Sequence, residues 1–146
     1  MDEIRTETPE ETIAAGRTFG ATLRPGDVVF LKGDLGAGKT TFIRGVAEAR
    51  GVTSGVRSPT FALMHRYRGE PDLVHIDLYR QAEDAGLDDL ALEEWEGEVI
   101  TLIEWPKGFA EREWPGAIRV EIDYASETAR TIRIFRTPAA RARSLT

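Results

Sequence analysis

Gly33, Gly38, Lys39 and Thr40 fill the pattern G-x-x-x-x-G-K-[ST] without a mismatch, inside the run Gly-Asp-Leu-Gly-Ala-Gly-Lys-Thr-Thr at 33–41. These residue types at this spacing are suited to holding phosphate. Gly33, Gly36 and Gly38 let the backbone curl so that consecutive N–H groups point at one spot, an anion-binding concavity at a positive helix end. The cradle is expected to comprise Gly33, Asp34, Leu35, Gly36, Ala37, Gly38, Lys39, Thr40 and Thr41. Within it, Lys39 is expected to reach the β- and γ-phosphates, the Thr40 hydroxyl to face Mg2+ and Thr41 to touch the α-phosphate.

A phosphate cradle of this kind needs a strand before it and a helix after it. The apolar run Val28-Val29-Phe30-Leu31 reads as the first strand, and residues 40–50 read as a helix stopping at Gly51, the residue type found just past helix C-termini. It also needs an acid at the end of a neighbouring strand to hold the Mg2+ hydration shell. Two candidates have that shape: Leu73-Val74-His75-Ile76-Asp77 and Ile100-Thr101-Leu102-Ile103-Glu104. One would hold Mg2+ while the other orients the attacking water or senses the γ-phosphate. The plain alternative for either is an acid marking the exposed end of a strand, but having both in a chain with a complete phosphate loop favours function. Ser58-Pro59-Thr60 lies where switch proteins place a threonine that responds to Mg2+ and γ-phosphate, though it is also ordinary loop chemistry. Trp105 reads as a core residue. His65 and His75 read as strand residues and not as metal ligands.

The bulk properties narrow the class. A chain of 146 residues with 41% hydrophobic and 30% charged content is expected to form one domain over residues 1–137, with a flexible basic tail at 138–146. The absence of cysteine excludes disulfides and thiolate metal sites and points to the cytoplasm. No apolar run approaches the ~20 residues of a membrane span, so no membrane partner is expected. A net charge of −6 argues against wrapping nucleic acid with the whole surface. Acids crowd residues 83–98, while after Glu127 only basic charges follow: Arg130, Arg133, Arg136, Arg141 and Arg143. These are solvated faces or, on a sharper reading, acidic and basic docking patches.

Thr8-Pro9-Glu10-Glu11 reads as a helix start, with Thr8 as N-cap, Pro9 in the first helical position and Glu11 returning a hydrogen bond to the cap. That helix is expected to reach Leu23 and to bury Ile13, Gly16, Gly20 and Leu23. Residues 61–67 and 72–77 read as an antiparallel hairpin, 84–95 as a helix, 99–103 as a buried strand, and 118–122 with 131–135 as the last strands. The expected fold is α/β, a P-loop NTPase-like sheet of mixed parallel and antiparallel strands flanked by helices. No guanine-selecting Asn/Thr-Lys-x-Asp stretch is present, so adenine is the default base.

Four stretches together, Gly-Asp-Leu-Gly-Ala-Gly-Lys-Thr-Thr (33–41), Ser-Pro-Thr-Phe (58–61), His-Ile-Asp-Leu-Tyr-Arg (75–80) and Ile-Glu-Trp-Pro (103–106), resemble the bacterial TsaE (YjeE) family. The resemblance covers roughly residues 8–135, and the order and spacing of all four motifs are far more specific than the first alone. It implies a small ATPase, feeble alone, that uses ATP and Mg2+ and acts on a complex of TsaB-like and TsaD-like proteins. One partner transfers a threonylcarbamoyl group to adenosine 37 of tRNA, so tRNA is met indirectly, and hydrolysis resets the complex between turnovers. Carried over, Lys39 and Thr40 are phosphate and Mg2+ ligands, Glu104 is the acidic Mg2+ ligand, Asp77 is needed for hydrolysis and Thr60 belongs to a switch-like loop. Thr8, Pro9 and Arg130 are the nearest matches to the family's base-closing residues, with Arg133 as an alternative to Arg130. The basic tail after Phe135 departs from the shared pattern. Two other readings stand beside this one: a small-molecule, nucleoside-type kinase, supported by Asp77-Leu78-Tyr79-Arg80, and a nucleotide-gated binding module without significant turnover.

Overall fold

The computed structural model describes residues 1–33, 38–52, 64–77, 98–104, 114 and 116–136. Within them the chain runs β1 (Asp2–Thr6), α1 (Pro9–Gly20), β2 (Val28–Gly33), α2 (Lys39–Ala49), β3 (Met64–Tyr67), β4 (Leu73–Asp77), β5 (Ile100–Glu104), β6 (Ile118–Tyr124) and β7 (Arg130–Phe135). The strands form one sheet in the order β1-β7-β6-β2-β5-β4-β3. Its centre is parallel: β2 pairs with β5 and β6, and β5 with β4. The flanks are antiparallel, with β7 on β6, β1 on β7 and β3 on β4. The expected mixed sheet is therefore present.

Sequence pattern explains which strands sit where. Val28 to Leu31 and Ile100 to Ile103 are unbroken buried runs, as strands covered on both faces require. In β6 buried and half-buried residues alternate, the pattern of a strand with one wetter face. One expectation is corrected here: the strand before the phosphate cradle is the second, not the first. Asp2–Thr6 form an edge strand paired with β7, Ile4 opposite Ile132. Asp2, Glu3 and Arg5 hide it from pattern reading, because an edge strand needs few apolar residues and is held by its neighbour's ladder.

Helix α1 starts as expected. Thr8 Oγ1 accepts from Glu11 N at 3.2 Å, and Pro9 opens the helix. Glu11 Oε1, however, accepts from Glu7 N, one residue before the cap. The helix ends at Gly20, short of Leu23, and its buried stripe is Thr12, Ala15, Gly16, Phe19 and Gly20, with Ile13 only half-buried. Leu23 is buried from the following turn. The stripe is displaced because α1 packs on α2 through glycine. A Cβ on Gly16 would strike the Phe42 carbonyl oxygen, and one on Gly45 would strike the Ile13 carbonyl oxygen. The two backbones therefore touch, which only glycine permits. Phe19 and Phe42 close the contact with ring centroids 5.6 Å apart.

The hairpin of β3 and β4 forms as expected from Met64 onward. Its turn is tied to the end of α2: Glu70 N donates to Arg50 O, and Arg50 Nη2 donates to Glu70 O, each at 2.8 Å. Among the described residues no helix is long and apolar enough to cross a membrane. The helix expected at 84–95, the rest of the acidic run up to residue 97, Trp105 and the tail lie outside the described residues.

Candidate functional site

Because β2, β4, β5 and β6 are parallel, their carboxyl ends share one edge of the sheet, the edge at which open α/β sheets bind ligands. Gly33, Asp77 and Glu104 are the last residues of β2, β4 and β5. The register sets Asp77 directly opposite Glu104, and Glu104 opposite Leu31, two residues before the cradle begins. Adjacent strands lie about 4.8 Å apart. The two acids proposed from separate motifs are thus immediate neighbours on the same sheet face. Of the other expected cradle and switch residues, Asp34, Leu35, Gly36, Ala37 and Thr60 lie outside the described residues.

On the helix side, Gly38 adopts φ 105° as the N-cap of α2, a left-handed conformation that L side chains rarely take. Among the described residues no side chain caps the helix and no acid stands in its first turn, an arrangement in which the helix dipole favours an anion at this end. Lys39 is 5% exposed, and its Nζ donates to Gly33 O at 2.7 Å, across the mouth of the loop. An ammonium carries three donors, so this bond is compatible with a phosphate contact. Thr40 and Thr41 are half-buried in the same turn.

The acids differ in setting. Asp77 is half-buried, whereas Glu104 is 3% exposed, with Oε2 lying 2.7 Å from His75 Nε2. His75 is completely buried, two residues before Asp77 on the same strand face, and its Nδ1 has no hydrogen-bond partner among the described residues. Since an ionised carboxylate has no proton to give, Nε2–H is the donor. Sequence reasoning missed this role for His75. The usable signal was the alternation His75, Asp77, which aims both side chains at the face where Glu104 stands.

The donor set fits magnesium. A threonine hydroxyl and carboxylates are hard oxygen ligands, and Mg2+ is held by one or two carboxylates together with phosphates and water. Among the described residues no group of three His, Asp or Glu is gathered around a metal position.

Of the expected base-closing residues, Arg130 lies beside the strand that leads to Thr8 and Pro9. Arg130 pairs with Thr6 of β1 and with Tyr124 of β6, its guanidinium 4.2 Å from the centre of the Tyr124 ring. Thr6 and Thr12 share a buried hydroxyl hydrogen bond of 2.8 Å, and the Thr12 methyl group is the nearest neighbour of the space beside Gly38. Thr8 and Pro9 are exposed between these contacts at the head of α1. Arg133 instead lies between Glu3 (3.5 Å) and Asp123 (3.2 Å), on the opposite sheet face from Arg130. Arg136 packs over Phe19 and donates to Thr22 Oγ1 at 2.7 Å. Three of the late arginines are therefore engaged within the fold.

Comparison with known proteins agrees with this fold. A family model described as "Threonylcarbamoyl adenosine biosynthesis protein TsaE" matches residues 6–132. The chain is 41% identical over 130 residues to the tRNA threonylcarbamoyladenosine biosynthesis protein TsaE of Bacillus subtilis, covering 88% of this chain and 81% of that protein. It is 38% identical over 139 residues to the Aquifex aeolicus protein of the same name, covering 93% and 97%. The crystal structure of Bacillus subtilis YdiB superposes with a TM-score of 0.72 at 34% identity, over 97% of this chain and 90% of that one. Mixed sheet, glycine-led α2 and these likenesses together define a P-loop NTPase-like fold. The chain belongs to the TsaE family of threonylcarbamoyl adenosine biosynthesis proteins.

Proposed function

We propose that this protein binds ATP with Mg2+ and hydrolyses it in the cytoplasm to drive threonylcarbamoylation of adenosine 37 in tRNA, acting on a complex of TsaD-like and TsaB-like partners. The observation that carries the reading is the convergence, at one sheet edge, of Lys39 beneath an uncapped helix start with Asp77 and Glu104 side by side. The cradle from Gly33 to Thr41 holds the phosphates, with Lys39 placing positive charge against them as charge shifts toward the leaving group. Thr40 and Glu104 would hold Mg2+, which when bound neutralises phosphate charge. Asp77, the more open acid, orients the attacking water. Thr60 belongs to the segment that responds to the γ-phosphate, and Thr8, Pro9 and Arg130 close over the base.

The test is release of free phosphate from ATP by the protein alone and with both partners present, followed by capture of the partners in ATP and in ADP. Stimulated turnover and stronger capture in ATP are expected. A rate unchanged by the partners would remove the coupling, and ADP formed only in step with a phosphorylated small molecule would replace the reading by a kinase.

A further inference from the structure

We propose that His75 is a positioning residue for the magnesium ligand: it fixes the Glu104 carboxylate so that Oε1 is presented to the cation. This rests on the reading of Glu104 as the Mg2+ ligand given above. Glutamate has three rotatable bonds, and a carboxyl group buried to 3% exposure is costly unless a hydrogen-bond partner holds it. His75 Nε2, 2.7 Å from Oε2, is that partner. No arginine or lysine ion pair to Glu104 occurs among the described residues, and that difference matters. A cationic partner would compete with the metal for the carboxylate, whereas an imidazole donating one proton orients the group and leaves its charge for the cation.

The placement of His75 supports a purpose beyond filling the core. It is a wholly buried polar side chain in a strand that is otherwise apolar up to Asp77, and it leaves Nδ1 unpaired among the described residues. A leucine would pack there without that cost. The ring lies opposite Leu102, one pleat below the pair formed by Asp77 and Glu104, so it supports the acid from beneath.

The experiment compares His75→Gln, which returns an N–H near the Nε2 position, with His75→Asn, whose amide stops near Nδ1, and with His75→Leu. Mn2+ binding to each full-length protein in the presence of ADP is followed by electron paramagnetic resonance, ADP affinity is measured in EDTA, and thermal unfolding verifies folding. His75→Asn and His75→Leu are expected to weaken Mn2+ binding about 10–100-fold, with His75→Gln much nearer the wild type and metal-free ADP affinity equal in all. If His75→Leu does not fold, the contrast between Gln and Asn decides. Equal Mn2+ affinity in His75→Gln and His75→Asn would overturn the proposal. Wild-type protein that binds no ADP, or binds it without responding to Mn2+, would instead sink the parent reading of the site.

Discussion

Where α2 packs on the sheet, Phe42, Ile43, Val46 and Leu31 are almost fully buried and carry no polar side-chain atom; at the carboxyl ends of the same sheet, Lys39, His75 and Glu104 are also buried and all are ionisable. The first region gains stability in proportion to the apolar surface it hides. The second loses stability to desolvation and persists only where each group meets a partner at close range. Their adjacency is informative: a layer clamped by glycine contacts supplies the rigidity that keeps costly polar groups in a fixed arrangement. Damage to the two regions should therefore separate, one showing in unfolding and the other in chemistry.

The largest expected effect tests the apolar side. Phe42→Ala removes a wholly buried ring that meets Phe19 and should cost about 3–5 kcal/mol in denaturant unfolding. A loss under about 1 kcal/mol would mean that the α1–α2 layer is not what holds the fold. Lys39→Ala tests the polar side. ATP turnover should fall about 10²–10³-fold, equivalent to about 2.7–4 kcal/mol of transition-state stabilisation. Its unfolding free energy should stay within about 1 kcal/mol of wild type, because losing the bond to Gly33 O is offset by no longer burying an ammonium. A variant that unfolds while its turnover survives would reverse the comparison.

The smallest effect sharpens it by using an acid outside both regions. The Gly69 N–H, and after it the Arg66 guanidinium, hold the Asp72 carboxyl below the usual aspartate value of 3.8. A lowered folded value means that the unfolded chain binds more protons in that window, so stability rises with pH there. The contribution is present above 3.8 and is lost as pH falls through the lowered value. Asp72→Asn should remove this dependence, so unfolding midpoints of wild type and variant should converge as pH is lowered from about 5 to about 2. A difference that is constant across that range would assign the effect to hydrogen bonding alone.

The two helix starts, at Thr8 and at Gly38, were legible because their signals are local. Gly38 in the left-handed region, Lys39 behind it and the Thr8 cap each depend on residues within one turn of the chain. The β3–β4 and β6–β7 hairpins were legible for the same reason, being joined by short turns. Edge strand β1 was not, since a single apolar residue, Ile4, leaves no period to read. The displaced stripe of α1 was illegible too. Helical spacing favours Ile13 as a core residue, and only the backbone approach of α2 at Gly16 and Gly45 turns the helix away from it.

Sequence alone supplied the expectation that Gly33, Gly38, Lys39 and Thr40 meet a nucleotide's phosphates, since that expectation needs only loop sterics and one helix start. It also supplied Asp77 and Glu104 as competing candidates. Only the tertiary structure decided that they stand side by side, that Glu104 is the buried one and leans on His75, and that Arg130 rather than Arg133 lies beside Thr6 at the head of α1. Those outcomes depend on which distant strands pair and on which side each strand turns to the helices. They are settled by burial of the whole sheet at once, a quantity that no short stretch of the chain contains.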